Sequence, residues 1–315
     1  MPQKLRSPKF APFTLDFTFK KAFASEQCKD LLLFLLNTFL DRVLKEPIID
    51  VKIIHTVQLG KTRKKRGAVF DIQCEDASGT RFIVEMQVEE QKHFIKRSLF
   101  YLCMAVANLA KKGKMSRDKK VPYDYNIPVV YMLSFINFDA DFGKGCDEVI
   151  QYLSLSNELH PEVRYDDLMR LIYVRLPRFS KTEGECKSDL DKLLFMFKNA
   201  HCLDKVPKSL NKMEFKRLFE IARISNFTEE ELMDYESDMK RFSDHMNALA
   251  YAEEKGEKRG ETRGLKKGDA RGVKRGVTIG VKRVARNMLA KGYSIAEVIG
   301  ITNLSREQIR ALNKA

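Results

Sequence analysis

The sequence predicts an α/β fold with a mixed central sheet, in the order helix, three strands, helix, strand. Three observations carry that expectation. Residues 29–45 present an almost fully apolar helical face. Three runs rich in β-branched or apolar residues follow at 48–57, 69–74 and 82–88. Helical periodicity then resumes over 94–110, ahead of another apolar run at 127–136. Two strands joined by a tight turn pair antiparallel, whereas a helical crossover returns a strand parallel, so the sheet must be mixed.

The first element is a short amphipathic helix over 14–24, where Phe19 and Phe23 lie one turn apart. The second buries Leu31, Leu32, Leu35, Leu36, Phe39, Leu40 and Val43, and Pro47 ends it. Residues 48–57 read as a strand, followed by the basic loop Lys61-Thr62-Arg63-Lys64-Lys65-Arg66-Gly67. The next two strands flank Glu75-Asp76-Ala77-Ser78-Gly79-Thr80, which has the composition of a hairpin turn. A long helix over 94–110 and a buried strand over 127–136, bounded by Pro128, complete the core order. Beyond Tyr165-Asp166-Asp167, residues 168–176 predict a further strand. Helical periodicity then dominates at 190–197, 213–224 and 229–250, as the rest of the same domain or a helical cover on it.

The chain has 315 residues, a hydrophobic fraction of 44% and a formal charge of +14. That charge calls for a polyanionic partner, with nucleic acid ahead of a membrane surface. No run of 18 apolar residues exists, and the N-terminal stretch has no apolar signal-peptide core, so neither a membrane span nor export is expected. The six cysteines are scattered without a Cys-x-x-Cys pair, which argues for thiols in a reducing cytoplasm and against a zinc site.

From residue 256 the character changes. Glycine recurs at 256, 260, 264, 268, 272, 276 and 280, and residues 251–291 hold 13 Lys/Arg against 5 Asp/Glu. Seven helical glycines cost roughly 5–7 kcal/mol relative to alanine, which an isolated helix would not survive. Either this arm is a flexible polycation, or its glycines permit close helix packing within a homodimer. The closing segment carries two capping boxes, at Ser294 with Glu297 and at Ser305 with Gln308, as in a small helix-turn-helix. The expected divisions are a domain over 1–250, a basic arm over 251–290 and a tail over 291–315.

The hairpin carries the chemistry. With the turn at Ala77-Ser78-Gly79, residue 71 lies across from residue 85, so Asp71, Glu85 and Gln87 share one face. Facing carboxylates repel, the more so when partly buried, and a divalent cation would relieve them. Magnesium prefers oxygen and is commonly held by one or two carboxylates with waters and substrate. Asp71, Glu85 and the main-chain carbonyl of Met86 are the expected ligands. Gln87 stands where a water-orienting group belongs, but a neutral amide brings no positive charge. An Asp and a Glu on a hairpin are often only solvent-facing polar residues, so the pair alone does not decide the matter.

The set Asp16-x-x-Phe19-Lys20-x-x-Phe23, Phe70-Asp71-Ile72, Glu85-Met86-Gln87 and Arg97-x-x-x-Tyr101 resembles the PD-(D/E)XK nuclease superfamily, and within it the recombination-promoting nuclease or putative transposase family. The resemblance spans 14–136, and the glycine arm and closing helices also look like the C-terminal part of many members. It implies a restriction-endonuclease-like core and DNA cleavage dependent on Mg2+, with Mn2+ or Ca2+ as alternatives. Asp71 and Glu85 would be metal ligands, Gln87 would replace the superfamily's lysine, and Asp16 would be an additional acid or the N-cap of its helix. Phe70 stands where the superfamily's proline is expected. Arg97 is expected to supply the charge Gln87 lacks, with Lys20 as a weaker candidate. A non-catalytic DNA-binding protein using the arm and closing helices is the alternative.

Overall fold

The computed structural model describes residues 8–54, 70–90, 92–113, 126–143, 145–164 and 168–312. The basic loop at 61–67 and Tyr165-Asp166-Asp167 lie outside the described residues. The chain divides into two compact units, Met1–Lys240 and Arg241–Ala315.

The first unit opens with α1 (Asp16–Phe23) and α2 (Lys29–Leu40), followed by β1 (Lys52–Ile53), β2 (Ile72–Glu75) and β3 (Arg81–Gln87). Then come α3 (Phe94–Gly113), β4 (Val130–Ile136), β5 (Ile150–Leu153), β6 (Met169–Arg175), α4 (Asp189–Asn199) and α5 (Met213–Ala222). The sheet runs in the order β1-β2-β3-β4-β6-β5. Pairing is antiparallel from β1 to β3 and between β5 and β6, and parallel from β3 through β4 to β6. This is the mixed sheet that the hairpin and crossover demand.

Strand alternation divides the side chains between two helical layers. Cys74, Phe82, Val84, Leu133, Phe135, Ile172 and Val174 pack with residues of α1, α2, α4 and α5. On the opposite face, Ile83, Val130 and Met132 pack with Leu102 and Ala105 of α3. Phe135 sits at the centre of the larger layer, with ring centroids 4.9 Å from both Phe39 and Phe197.

Three elements depart from the sequence expectation. Helix α2 stops at Leu40 rather than near 45, because Asn37 bonds the main chain of Ile48 in both directions, at 2.7 and 2.9 Å, and draws the chain back across it. The strand expected over 48–57 is only Lys52–Ile53 within the described residues. Strand β5 was not expected: it is a four-residue edge strand, half-buried along its length, and shows no alternation to read.

Helix α6 runs Glu229–Ala290 without a break, including every glycine of the arm. Both ends are held, which removes the cost of nucleation that an isolated helix would bear. In the first unit, Lys21 pairs with Glu231 at 2.6 Å and the Phe17 amide donates to Asp238 at 2.7 Å. In the second unit, Ala285 is buried with Val298 of α7 (Ile295–Thr302) and Ile309 of α8 (Arg306–Leu312). Both capping boxes form: the Glu297 amide donates to Ser294 Oγ at 3.3 Å, and the Gln308 amide to Ser305 Oγ at 3.2 Å.

Replacing Phe135 by alanine removes a ring from the most aromatic part of the core, with an expected cost of about 3–5 kcal/mol. Urea unfolding of the sheet unit, followed by near-ultraviolet circular dichroism, measures it. A loss below about 1 kcal/mol would contradict the central position of this ring.

Candidate active site

Hairpin register places the acids. Ile72 pairs with Val84 and Glu75 with Arg81, which sets Asp71, one residue before β2, opposite Glu85. The turn is closed by the Asp76 side chain, which accepts from the amides of Ser78 at 2.9 Å and Thr80 at 3.0 Å. Gly79 adopts φ +86°, and a Cβ there would come 3.2 Å from Pro128, so both backbone and space favour glycine. Next to the turn, Arg81 and Glu75 form a cross-strand ion pair at 2.6 Å that locks the register.

Asp71 has a side-chain exposure of 17%. Its Oδ2 accepts from the Met86 amide at 2.7 Å. In an extended strand a residue's N–H and C=O point to the same edge. The Met86 carbonyl therefore opens towards Asp71, while the Gln87 carbonyl accepts from the Asn137 amide at the end of β4. Burial pushes the Asp71 carboxyl up to about 6, against the opposing pull of the Met86 amide; the charge of Asp16 adds to the rise and Lys20 resists it.

Glu85 is the less satisfied partner. Its Oε1 is buried and has no hydrogen-bond partner among the described residues. Burial drives this carboxyl well above the usual carboxylate range, and the facing Asp71 adds to it, with Arg97 and Lys20 pulling the other way. Ser134 is the β4 residue paired with Glu85, and its buried Oγ likewise lacks a partner among the described residues. Ser134 has no role in the sequence expectation; its signal there is a small aliphatic hydroxyl among the apolar and aromatic residues of Val130–Ile136.

The cations arrive from two helices. Arg97 on α3 donates through Nη2 to Gln87 Oε1 at 2.7 Å, while Gln87 Nε2 donates to the Glu89 carbonyl at 2.9 Å. Its guanidinium lies 5.7 Å from the Tyr101 ring centroid. The next residue, Ser98, shares a buried hydrogen bond of 2.7 Å with Tyr173 OH and ties this turn of α3 to β6. From α1, Lys20 Nζ lies 2.8 Å from Asp16 and 3.6 Å from Asp71. Burial lowers the Lys20 pKa, but the two acids outweigh it and leave the net shift upward.

All the expected site residues thus fall into one neighbourhood, with different connections from those expected. Asp16 is not the N-cap of its helix: Leu15 holds that position, and the Asp16 carboxylate reaches forward to Lys20 instead. Lys20, given little weight from sequence, is the cation in contact with Asp71, because an i,i+4 pair on one helical face turns it there. Among the described residues no group of three or more His, Cys, Asp and Glu converges. The donor set is two carboxylates and a main-chain oxygen, hard ligands that suit a hard divalent ion. The unpartnered Glu85 oxygen is the observation that fits such an ion best.

A mixed sheet between helical layers, with an acid pair on its central hairpin, defines the restriction-endonuclease-like class of PD-(D/E)XK folds. Residues 13–252 match the family described as PD-(D/E)XK nuclease family transposase, and the chain belongs to that family. No curated protein and no solved structure matches it. Membership sets the function among nucleases and transposition. No helix among the described residues is long and apolar enough to cross a membrane.

The raised Asp71 carboxyl has a consequence for stability. Folded, Asp71 keeps its proton to about pH 6; its ordinary value is 3.8. The metal-free chain therefore loses stability as pH rises between these values, and the deficit persists above them. Asp71→Asn is expected to raise stability at pH 8 by about 1–3 kcal/mol, with the gain vanishing near pH 3.5. Thermal unfolding in EDTA at both pH values checks this; a variant less stable than the parent at pH 8 would contradict it.

Proposed function

We propose that the chain is a magnesium-dependent DNA endonuclease acting in recombination or transposition. Its catalytic domain would cover 1–250, followed by the basic arm at 251–290 and the tail at 291–315. The observation that carries this reading is the half-buried, facing pair Asp71 and Glu85, with one buried Glu85 oxygen that has no hydrogen-bond partner among the described residues. Asp71, Glu85 and the Met86 carbonyl would hold the ion, with Mn2+ or Ca2+ as alternative occupants. Bound there, the ion would polarise a phosphodiester and lower the pKa of a water.

The chain's own groups do the rest. Gln87 uses one amide oxygen contact to hold Arg97 and one N–H to hold the Glu89 carbonyl. Its remaining N–H and lone pair can orient a water, while the charge is provided by Arg97. The guanidinium is planar and permanently charged, and suits the negative charge that grows on a phosphate during hydrolysis. Lys20 keeps Asp71 and Asp16 in one charged cluster and screens their repulsion. All six cysteines are free thiols, which fits a reducing cytoplasm.

Supercoiled plasmid incubated with the protein should be nicked or linearised with Mg2+ and left intact with EDTA. Asp71→Ala and Glu85→Ala should each abolish cutting, and Arg97→Ala should lower it by about 10²- to 10³-fold. Full activity in both acid variants would remove Asp71 and Glu85 from the chemistry, and no Mg2+-dependent cutting by the parent would leave a non-catalytic DNA-binding protein.

A further inference from the structure

The core chemistry leaves the basic arm without a role. Residues 258–281 are three copies of an eight-residue unit, KRGETRGL, KKGDARGV and KRGVTIGV. Glycine takes the third and seventh place of every unit. A cation stands immediately before five of these six glycines: Arg259, Arg263, Lys267, Arg271 and Arg275. Residues four apart on a helix advance about 6 Å and turn about 40°, so these side chains form one continuous right-handed row. Every one of them is exposed. Residues 259–286 hold ten Lys/Arg against two acids, Glu261 and Asp269, so the row has little compensating charge in its own stretch of helix.

The glycines form a second row beside the first. A Cβ added at Gly260, Gly264, Gly268, Gly272 or Gly276 would meet nothing within 4 Å, so no packing in this chain requires them. Their effect is to strip bulk from the surface next to the cations and open the helix backbone to a close neighbour.

We propose that this row binds the phosphate backbone of duplex DNA. Charge selects a polyanion, and shape selects among polyanions. From Arg259 to Arg275 the row winds through about 160° of the helix surface. A planar anionic membrane meets one face of a helix and would reach only part of such a row. A second copy of the arm would bring like charges together. The major groove of DNA admits an α-helix and flanks it with phosphates on both sides. A row that crosses from one side of the helix to the other meets both strands.

The test uses full-length protein carrying Asp71→Ala, in EDTA, so that binding is read without cleavage and stands apart from the nuclease reading. Anisotropy of a labelled duplex is followed against salt. Removing four cations together (Arg263→Gln, Lys267→Gln, Arg271→Gln, Arg275→Gln) should reduce the slope of log K against log salt by about 3–4, and weaken binding more than 100-fold at low salt. Removing four exposed lysines from the first unit (Lys187→Gln, Lys205→Gln, Lys208→Gln, Lys216→Gln) lowers net charge equally and should change the slope by less than about 1. Glutamine has a helix propensity near that of lysine and arginine, so the helical circular dichroism should persist. A charge-preserving variant (Arg263→Lys, Arg271→Lys, Arg275→Lys) should bind within a few-fold of its parent. Equal losses in the two glutamine variants would overturn the proposal. So would unchanged binding in the arm variant, or a change from dimer to monomer there with binding retained.

Discussion

Two carboxylates are forced to share a small, partly buried space, and most of the first unit serves to keep them there. Asp71 and Glu85 face each other because the hairpin register leaves no other option once Ile72, Val84 and their neighbours are committed to the core. A slip of one residue would turn both acids into the apolar layer and Phe82, Val84 and Met86 out of it. Repulsion between the acids is therefore sustained by apolar burial on the opposite face of the same strands. The cations around them, Lys20 and Arg97, lie on helices packed against opposite faces of the sheet, so site and fold are joined at the same strands.

This arrangement also divides the labour within the site. Gln87 follows Glu85 by two residues and shares its face, yet its amide is neutral. The 2.7 Å bond from Arg97 makes the glutamine a mount for a guanidinium from the neighbouring helix. Charge that another sequence could carry on the strand is carried here on α3. The helix is itself pinned by the Ser98–Tyr173 hydrogen bond and by aromatic packing of Phe94 on Phe138 and Tyr173.

Much of this was legible in the sequence, and the limits were physical ones. The hairpin register could be read because the turn residues and the period-two alternation agree, which fixes residue 71 opposite 85. Helices α1 to α5 announced themselves through apolar periodicity. Strand β5 did not, because a short half-buried edge strand owes its existence to β6 rather than to its own pattern. The end of α2 was misplaced because a side-chain bond from Asn37 to Ile48 is a contact between segments, invisible in local periodicity. Lys20 and Ser134 were undervalued for the same reason: each matters through its position in space beside Asp71 or Glu85. The continuous helix of the arm runs against glycine propensity; anchoring at its two ends removes the nucleation cost, while the per-residue cost of the glycines remains.

The account rests on the acid pair being a place for a divalent cation. Calorimetric titration of the metal-free protein with Mn2+ at pH 6, in two buffers of different ionisation enthalpy, tests this most directly. The account predicts one ion per chain with net proton release, since Asp71 and Glu85 hold protons too tightly when empty. It also predicts loss of that binding in Asp71→Asn with Glu85→Gln. Binding of equal strength in the parent and the double variant, or binding without proton release, would contradict it.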